Sequence, residues 1–162
     1  MTKNIYKKAV IVFLHNNFDS YLLQLRDFKS SIIYPGHWGA FGGEVEEGES
    51  PEIALGRELM EEIGYSPKSF SFFREVCIDD HELNLHIFYC NMNVSLAKLN
   101  LMEGVEMGLF SVEQILSKNL YSKKLGKVFP IVPPLLGFFD EFFENVKKKY
   151  QSPLSVASKK EL

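Results

Sequence analysis

The sequence predicts an α/β (α+β) domain in which helices pack against a mixed β-sheet. Short apolar segments of strand length alternate along the chain with amphipathic segments of helix length, and a long amphipathic helix follows them. The 162 residues are enough for one hydrophobic core, with 46% apolar and 24% charged residues. We therefore predict one domain over residues 1–150 and a flexible, polar C-terminal tail over residues 151–162.

The first elements predicted are a β-hairpin, a loop and a third strand. Lys8–Leu14 reads as a buried strand, turn residues fill His15–Ser20, and Tyr21–Arg26 returns as the second strand. Asp27–Gly39 contains proline and glycine and predicts an irregular loop. Trp38–Val45 is apolar and glycine-rich, which predicts a short strand that leads into a tight turn.

A helix over Pro51–Ile63 carries start and stop signals at both of its ends. Ser50 is a suitable N-cap, Pro51 fits the first helical position, and Glu52 favours the positive end of the helix dipole. Gly64 suits the left-handed position that ends a helix.

The second half of the chain predicts further strands and two helices. The strand segments are Phe70–Ile78, Leu83–Val94 and Val105–Phe110. Ser111 and Gln114 have the spacing of a capping box, which predicts a helix start. After a rigid proline pair, Leu135–Tyr150 repeats apolar residues at helical spacing, which predicts either a core stripe or a surface for a partner protein.

Composition excludes several classes of function. The net charge of −3 argues against a broad nucleic-acid footprint, because such a footprint needs a basic face. No segment reaches the roughly eighteen apolar residues that a membrane span needs. Cys77 and Cys90 lack metal-ligand spacing and predict reduced, structural thiols in a cytoplasmic protein.

The segment 42–65 concentrates acidic residues, with eight glutamates and one arginine. On the predicted helix, Glu58, Glu61 and Glu62 share one face because they are three and four residues apart. The apolar residues of this helix are predicted on the opposite side: Ile53, Leu55, Leu59, Met60 and Ile63. Like charges at this spacing destabilise a helix, so the segment is either a solvated acidic helix or a site for a hard divalent cation.

The spacing of these residues resembles the signature of the Nudix hydrolase family, G-x5-E-x7-R-E-U-x-E-E-x-G-U with U apolar. It begins at Gly43, continues through Glu49 and Arg57, and ends at Gly64-Tyr65. The last position is usually aliphatic, and here it is a tyrosine. The resemblance implies a Nudix-type α/β/α sandwich with a mixed sheet over about residues 5–150. It also implies hydrolysis of the diphosphate bond in a nucleoside diphosphate linked to another group.

The resemblance implies roles for the charged residues of the signature. Glu58, Glu61 and Glu62 would bind Mg²⁺, with Mn²⁺ as a possible substitute. The general base would be Glu49, Glu61 or a glutamate beyond the signature, and Arg57 would pair with Glu49 to orient the loop. A loop glutamate, Glu103, is similar to a family metal ligand.

Glu106 competes with Glu103 for that downstream position. Gly42 and Gly43 would let the backbone turn close to phosphates, and Arg26 could reach a phosphate or a base. A base could stack on an aromatic side chain, and the candidates are Trp38, Phe41, Phe88 and Tyr89. These aromatics could equally belong to the core.

The substrate class stays broad, because markers that separate the Nudix subfamilies are missing. His81 stands where ADP-ribose hydrolases carry a proline. We expect a small-molecule substrate, which could be a nucleoside triphosphate, an oxidised nucleotide or a nucleotide-sugar. We expect no nucleic-acid polymer and no membrane as partners, and the family allows a homodimer. The alternatives are a non-catalytic nucleotide sensor on the same fold and a helical interaction module that uses Phe138–Phe143.

Overall fold

A seven-stranded mixed sheet forms the centre of the computed structural model, which describes residues 5–150. Its strands are β1 (Lys7–Asn16), β2 (Ser20–Leu25), β3 (Trp38–Gly39), β4 (Phe41–Glu44), β5 (Ser71–Ile78), β6 (Leu83–Asn91) and β7 (Glu106–Ser111). A separate hairpin joins β8 (Asn119–Ser122) to β9 (Lys127–Pro130). The helices are α1 (Pro51–Ile63), α2 (Val112–Leu116) and α3 (Pro133–Tyr150).

Strand β1 organises the sheet, because it has neighbours on both sides. It runs antiparallel to β2 and β4 and parallel to β6, which makes the sheet mixed as predicted. The predicted hairpin of β1 and β2 is confirmed by the pairing of Leu14 with Leu22. The first half of β1 pairs with β4 instead, where Val10 lies opposite Gly43 and Ile11 opposite Gly42.

The predicted strand over Trp38–Val45 is two short strands in the structure. β3 pairs with β2, whereas β4 pairs with β1, so the chain changes partners at Ala40. This change carries β4 beneath helix α1 and places its two glycines under the helix.

Two apolar clusters cover the two faces of the sheet, which gives three layers. One cluster lies beneath α1, and the other lies beneath α3. On the α3 face, the rings of Phe13 and Phe139 stack with their centroids 4.3 Å apart. Leu135, Phe139 and Phe142 are buried in this cluster, so the apolar stripe of α3 is core. The helix begins at Pro133, two residues before the predicted start, because both prolines fit its first turn.

Helix α1 has the predicted bounds and caps. The hydroxyl of Ser50 accepts a hydrogen bond from the amide of Ile53, and Gly64 has the left-handed conformation with φ of 63°. The predicted orientation is partly wrong, because Ile53 and Met60 are 62% and 49% exposed. The helix is rotated toward β4, so its buried face includes the carboxylate of Glu62.

The other differences between prediction and structure concern segments without a clear apolar periodicity and the exposure of the cysteines. The β8–β9 hairpin was not predicted, since Asn119–Pro130 lacks a regular apolar alternation. Cys90 is buried as expected, whereas Cys77 is exposed, and both are free thiols. The predicted tail over residues 151–162 lies outside the described residues. No helix in the described part of the chain is long and apolar enough to cross a membrane.

Replacing Gly56 with alanine is expected to stabilise the protein by about 0.5–1 kcal/mol, because Gly56 lies inside α1 and glycine is a poor helix former. A Cβ atom at this position would have no heavy atom within 4 Å. Chemical denaturation of the purified variant measures the effect. The matched control is Gly64→Ala, which should destabilise because its φ is positive. A loss of stability in Gly56→Ala would contradict the described packing of α1.

Candidate active site

The side chain of Glu62 lies between helix α1 and the sheet and is only 3% exposed. Its Oε2 accepts a hydrogen bond from the backbone amide of Gly42 at 3.1 Å, and its Oε1 lies 3.5 Å from the side-chain Nε2 of Gln24. These two neutral donors stabilise a carboxylate only partly, because neither carries a full positive charge.

The electrostatic environment disfavours negative charge on two glutamates of α1. Burial, together with the nearby carboxylates of Glu103 and Glu58, raises the pKa of Glu62 to about 8, against the opposing effect of the Gly42 amide. Burial also raises the pKa of Glu58, although the Arg57 guanidinium beside it opposes this effect. A positive charge placed beside Glu58 and Glu62 would therefore stabilise the ionised form of both carboxylates.

These carboxylates open onto a polar pocket of about 440 Å³. Its lining brings together Glu58, Glu62 and Glu103 with Arg26 from the end of β2. The competing residue Glu106 points elsewhere, and its carboxylate accepts hydrogen bonds from the Ser122 hydroxyl and from the amides of Lys123 and Lys124. Glu106 therefore stabilises the turn of the β8–β9 hairpin and does not reach the pocket.

The two glycines of β4 make room for the carboxylates. A Cβ on Gly43 would lie 2.3 Å from Oε1 of Glu58, so any side chain there would displace this carboxylate. Gly42 has a φ of 152°, and a Cβ there would lie 1.9 Å from the carbonyl oxygen of Val10. These glycines therefore position α1 and its carboxylates directly, in addition to their predicted role near phosphates.

Arg57 ties helix α1 to the loop that precedes it. Its Nε and Nη2 donate to the two carboxylate oxygens of Glu49 at 2.6 and 3.1 Å, which is the predicted pair in bidentate form. Nη2 also donates to the carbonyl of Glu44 at 2.9 Å. Nη1 lies 3.0 Å from Glu58 and 3.3 Å from Glu61. The guanidinium lowers the pKa of Glu49, so this carboxylate stays ionised and fixed.

Replacing Arg57 with lysine is expected to lower kcat/KM by about 10–100-fold, because a single ammonium group cannot hold both oxygens of Glu49 and the Glu44 carbonyl. Steady-state kinetics on the best nucleotide substrate measures the effect. The control is Arg74→Lys, which alters an exposed ion pair between β5 and Glu141 of α3, outside the residues that line the pocket. Equal activity of wild type and Arg57→Lys would contradict the role of this arginine in orienting the loop.

Some of the predicted substrate-binding, base-stacking and metal-binding residues do not line the pocket. Trp38 is fully buried, and its Nε1 donates to the carbonyl of Leu120 at 3.1 Å, so it is a core residue and cannot stack a base. Phe41 and Phe88 are also buried. Glu61 is not among the residues that line the pocket, and its side chain is 59% exposed at the outer edge of the Arg57 network.

A comparison with known protein families identifies the family that shares this fold and site. The family model described as NUDIX domain matches residues 5–130, which includes the sheet, α1 and the pocket. The chain belongs to the NUDIX family. The signature predicted this membership, and the family match extends it well beyond the signature residues.

Curated NUDIX relatives match over short segments. The 8-oxo-dGTP diphosphatase of Escherichia coli strain K12 is 51% identical over 35 residues, which are 22% of this chain and 27% of that protein. The nucleoside triphosphatase NudI of Escherichia coli O139:H28 is 39% identical over 59 residues, which are 36% of this chain and 40% of that protein. The chain thus matches less than half of the length of these relatives.

Solved structures support the NUDIX fold. The MutT protein from Methanosarcina mazei Go1 aligns with a TM-score of 0.70 and 22% identity, covering 91% of this chain and 99% of that chain. The E. coli ORF135 protein aligns with a TM-score of 0.66 and 20% identity, covering 90% and 94% of the two chains. At these identities the likeness concerns the fold.

Sequence reasoning missed Gln24 in this NUDIX site. Its side chain is buried beside Glu62, and a Cβ on Gly104 would lie 2.8 Å from its Oε1, so Gln24 links the loop of Glu103 to the helix. The available signal was a single polar residue inside the otherwise apolar run Tyr21–Leu25. A buried amide in such a strand needs partners, and here they belong to the site.

The donor set fits a hard divalent cation. Within residues 5–150, no three His, Cys, Asp or Glu side chains form a preorganised metal cage. Mg²⁺ usually takes one or two carboxylates and completes its shell with water and substrate phosphates, so a full cage is not required. The raised pKa of Glu62 and the space that Gly43 leaves beside Glu58 are the observations that support this fit.

Proposed function

We propose that this protein is a divalent-cation-dependent pyrophosphohydrolase that cleaves the diphosphate bond of a nucleotide. The observation that carries this proposal is the group of carboxylates of Glu58, Glu62 and Glu103 around one pocket, with Glu62 buried and its pKa raised to about 8. A cation between these groups would favour their ionised form and would also attract the phosphates of a negatively charged substrate. Hydrolysis of a phosphoric anhydride with such a cation is therefore the reaction that this chemistry supports best.

Glu58, Glu62 and Glu103 would hold the cation, and Glu61, which precedes Glu62 on α1, is a further predicted ligand. Mg²⁺ is the expected ion, and Mn²⁺ could replace it because both prefer oxygen ligands. When bound, the ion would neutralise charge on the phosphate oxygens as the bond breaks. Arg26, at the wall of the same pocket, would contact a phosphate from the other side.

The contacts narrow the choice of general base. Both oxygens of Glu49 accept hydrogen bonds from Arg57, and one of them also accepts from the amide of Glu46. These bonds lower the pKa of Glu49, so it is a weak base and serves to position the loop. Glu61 and Glu103 remain as the two candidates to accept a proton from the attacking water.

Nucleoside triphosphates are the first substrates to test, because matched relatives are named for 8-oxo-dGTP and nucleoside triphosphate hydrolysis. The experiment measures phosphate and pyrophosphate release with Mg²⁺ from nucleoside triphosphates, 8-oxo-dGTP, ADP-ribose and nucleotide-sugars. We expect turnover on at least one nucleoside triphosphate, with no turnover in excess EDTA. Nucleotide binding without turnover on any substrate would instead support the non-catalytic sensor.

A further inference from the structure

A pocket of about 670 Å³ lies at one end of the central sheet, where β1 and β6 end and β5 begins. His15, Asn91 and Ser71 line it from these three strands. Among the described residues, none that lines this pocket also lines the carboxylate pocket. His15 lies about 13 Å along β1 from Ile11, the residue that pairs with Gly42 of β4. This pocket is therefore a second space, which the proposed hydrolysis does not use.

His15 supplies a buried hydrogen-bond donor to this pocket. The side chain is only 2% exposed, and its Nδ1 accepts a hydrogen bond from the amide of Phe18 at 3.2 Å. Burial lowers the pKa of His15 to about 4, so the ring is neutral near neutral pH and carries its one proton on Nε2. Within residues 5–150, this Nε2 has no hydrogen-bond partner. A buried donor without an acceptor is unfavourable, and a ligand with an acceptor would satisfy it.

The turn between β1 and β2 is held against His15 in a strained backbone conformation. Asn17 and Phe18 have φ values of 50° and 61°, which are unfavourable for a bulky residue such as phenylalanine. The Phe18 ring stacks on the His15 ring with centroids 3.9 Å apart, and the Asn17 amide donates to Oδ1 of Asn91 at 2.9 Å. Strain of this kind persists where the surrounding structure fixes it, and it is concentrated at functional sites.

The rest of the pocket lining is aromatic or polar and almost uncharged. Phe70 and Tyr89 are half-buried and contribute apolar ring surface. The exposed rim carries amide and hydroxyl side chains: Asn17, Ser69, Ser71 and Asn91. Because Oδ1 of Asn91 already accepts from Asn17, its side-chain nitrogen remains as a donor. Among the described lining residues, Asp19 is the one charged group, and none is a lysine or an arginine.

We propose that this pocket binds a neutral sugar through His15, Asp19 and Asn91. A sugar hydroxyl can accept from the His15 Nε2 and from the Asn91 amide, and another can donate to the Asp19 carboxylate. The C–H face of the sugar ring can pack against the aromatic side chains. The inference goes beyond the proposed function, because it adds a binding site that shares none of its described residues.

Other classes of small molecule fit this lining less well. An anion would meet the Asp19 carboxylate without a lysine or arginine among the described lining residues. A cation without acceptors, such as a quaternary ammonium ion, would leave the buried donor of His15 unpaired. An entirely apolar ligand would leave both His15 and the rim amides without partners.

The test is a titration of the ¹⁵N-labelled full chain with neutral methyl glycosides of glucose, galactose and mannose, followed by NMR in EDTA. We expect at least one glycoside to shift the backbone amides of Asn17, Ser69 and Asn91 and to leave those of Gly42 and Gly43 unchanged. D-Glucuronate and tetramethylammonium are the charged probes for comparison, and both should bind more weakly than this glycoside.

Two variants test the named contacts. His15→Phe keeps a ring beside Phe18 but has no donor, and it should weaken binding of the glycoside by about 5–10-fold. Asp19→Asn should weaken it by about 3-fold or more and should reduce the discrimination against D-glucuronate. Asp80→Asn is the matched control, because Asp80 is exposed and does not line the pocket.

The absence of shifts with all three glycosides up to about 0.1 M would overturn this inference. Binding of D-glucuronate or tetramethylammonium at least as tight as that of the glycosides would overturn the assigned ligand class. Equal binding by wild type and His15→Phe would overturn the role of His15. If the NMR spectrum shows that His15→Phe does not fold, Asp19→Asn decides the outcome, and unchanged binding and discrimination in that variant would overturn the inference.

Discussion

Replacing Glu62 with glutamine is expected to lower kcat by at least about 10²-fold without destabilising the metal-free protein. Glutamine has nearly the same shape but no charge to hold a cation. Its carbonyl oxygen can still accept the hydrogen bond from the Gly42 amide, and the Gln24 amide can turn to match the new side chain. Loss of activity with retained stability would separate a functional carboxylate from a structural one.

The pH dependence of stability provides a second measurement on this variant. Burial raises the pKa of Glu62 to about 8 in the folded protein, above its ordinary value of 4.5. Between these values the folded state binds the extra proton, so the free energy of unfolding falls as the pH rises toward 8. The glutamine variant lacks this contribution. Relative to wild type in EDTA, it should gain about 2–3 kcal/mol between about pH 6 and about pH 9.

Urea denaturation of both proteins in EDTA measures this difference. Glu52→Gln serves as the control, since Glu52 is exposed in the first turn of the same helix and should show no such dependence. A constant difference between wild type and Glu62→Gln across this pH range would contradict the described burial of Glu62.

Replacing Gly42 with alanine is expected to destabilise the protein by more than about 4 kcal/mol, which is a large part of the stability of a typical domain. The new Cβ would lie 1.9 Å from the carbonyl oxygen of Val10, which is backbone of the central strand and cannot move aside. The φ of 152° adds strain for any residue with a side chain. Soluble yield and thermal unfolding measure the result.

The matched control for this variant is Gly48→Ala. Gly48 also has a positive φ, of 83°, but a Cβ there would have no heavy atom within 4 Å. It should therefore cost only about 1–2 kcal/mol from backbone strain. Similar stabilities for Gly42→Ala and Gly48→Ala would contradict the close packing of β4 against β1.

Local signals predicted the first and last residues of helix α1 correctly, because the residue types of its two caps are recognisable in the sequence: Ser50 at the start and Gly64 at the end. The orientation of the same helix was less predictable. Ile53 and Met60 are apolar and yet exposed, since the path of β4 rotates the helix so that Glu62 turns inward. Helix periodicity reports which residues share a face, but the partner element decides which face is buried.

The grouping of the candidate side chains was also predictable only in part. The signature spacing predicted that Arg57 pairs with Glu49 and that Glu58 and Glu62 share a face, because one helix and its adjoining loop carry all four residues. The prediction that Trp38 binds the substrate was wrong, because composition does not distinguish an aromatic residue of the core from one that stacks on a ligand. Gln24 and Glu103 line the pocket, whereas Glu106 does not. These positions depend on strand pairings between distant segments, which a short stretch of sequence does not reveal.

The most direct test of the central claim is a Mg²⁺ titration of kcat/KM for wild type and Glu62→Gln on the best nucleoside triphosphate. We expect wild-type activity to rise with Mg²⁺ to a plateau and to vanish in EDTA. The variant should stay at least about 10²-fold lower at saturating Mg²⁺. Turnover that does not depend on a divalent cation, or equal turnover by the two proteins, would contradict a catalytic cation site at these carboxylates.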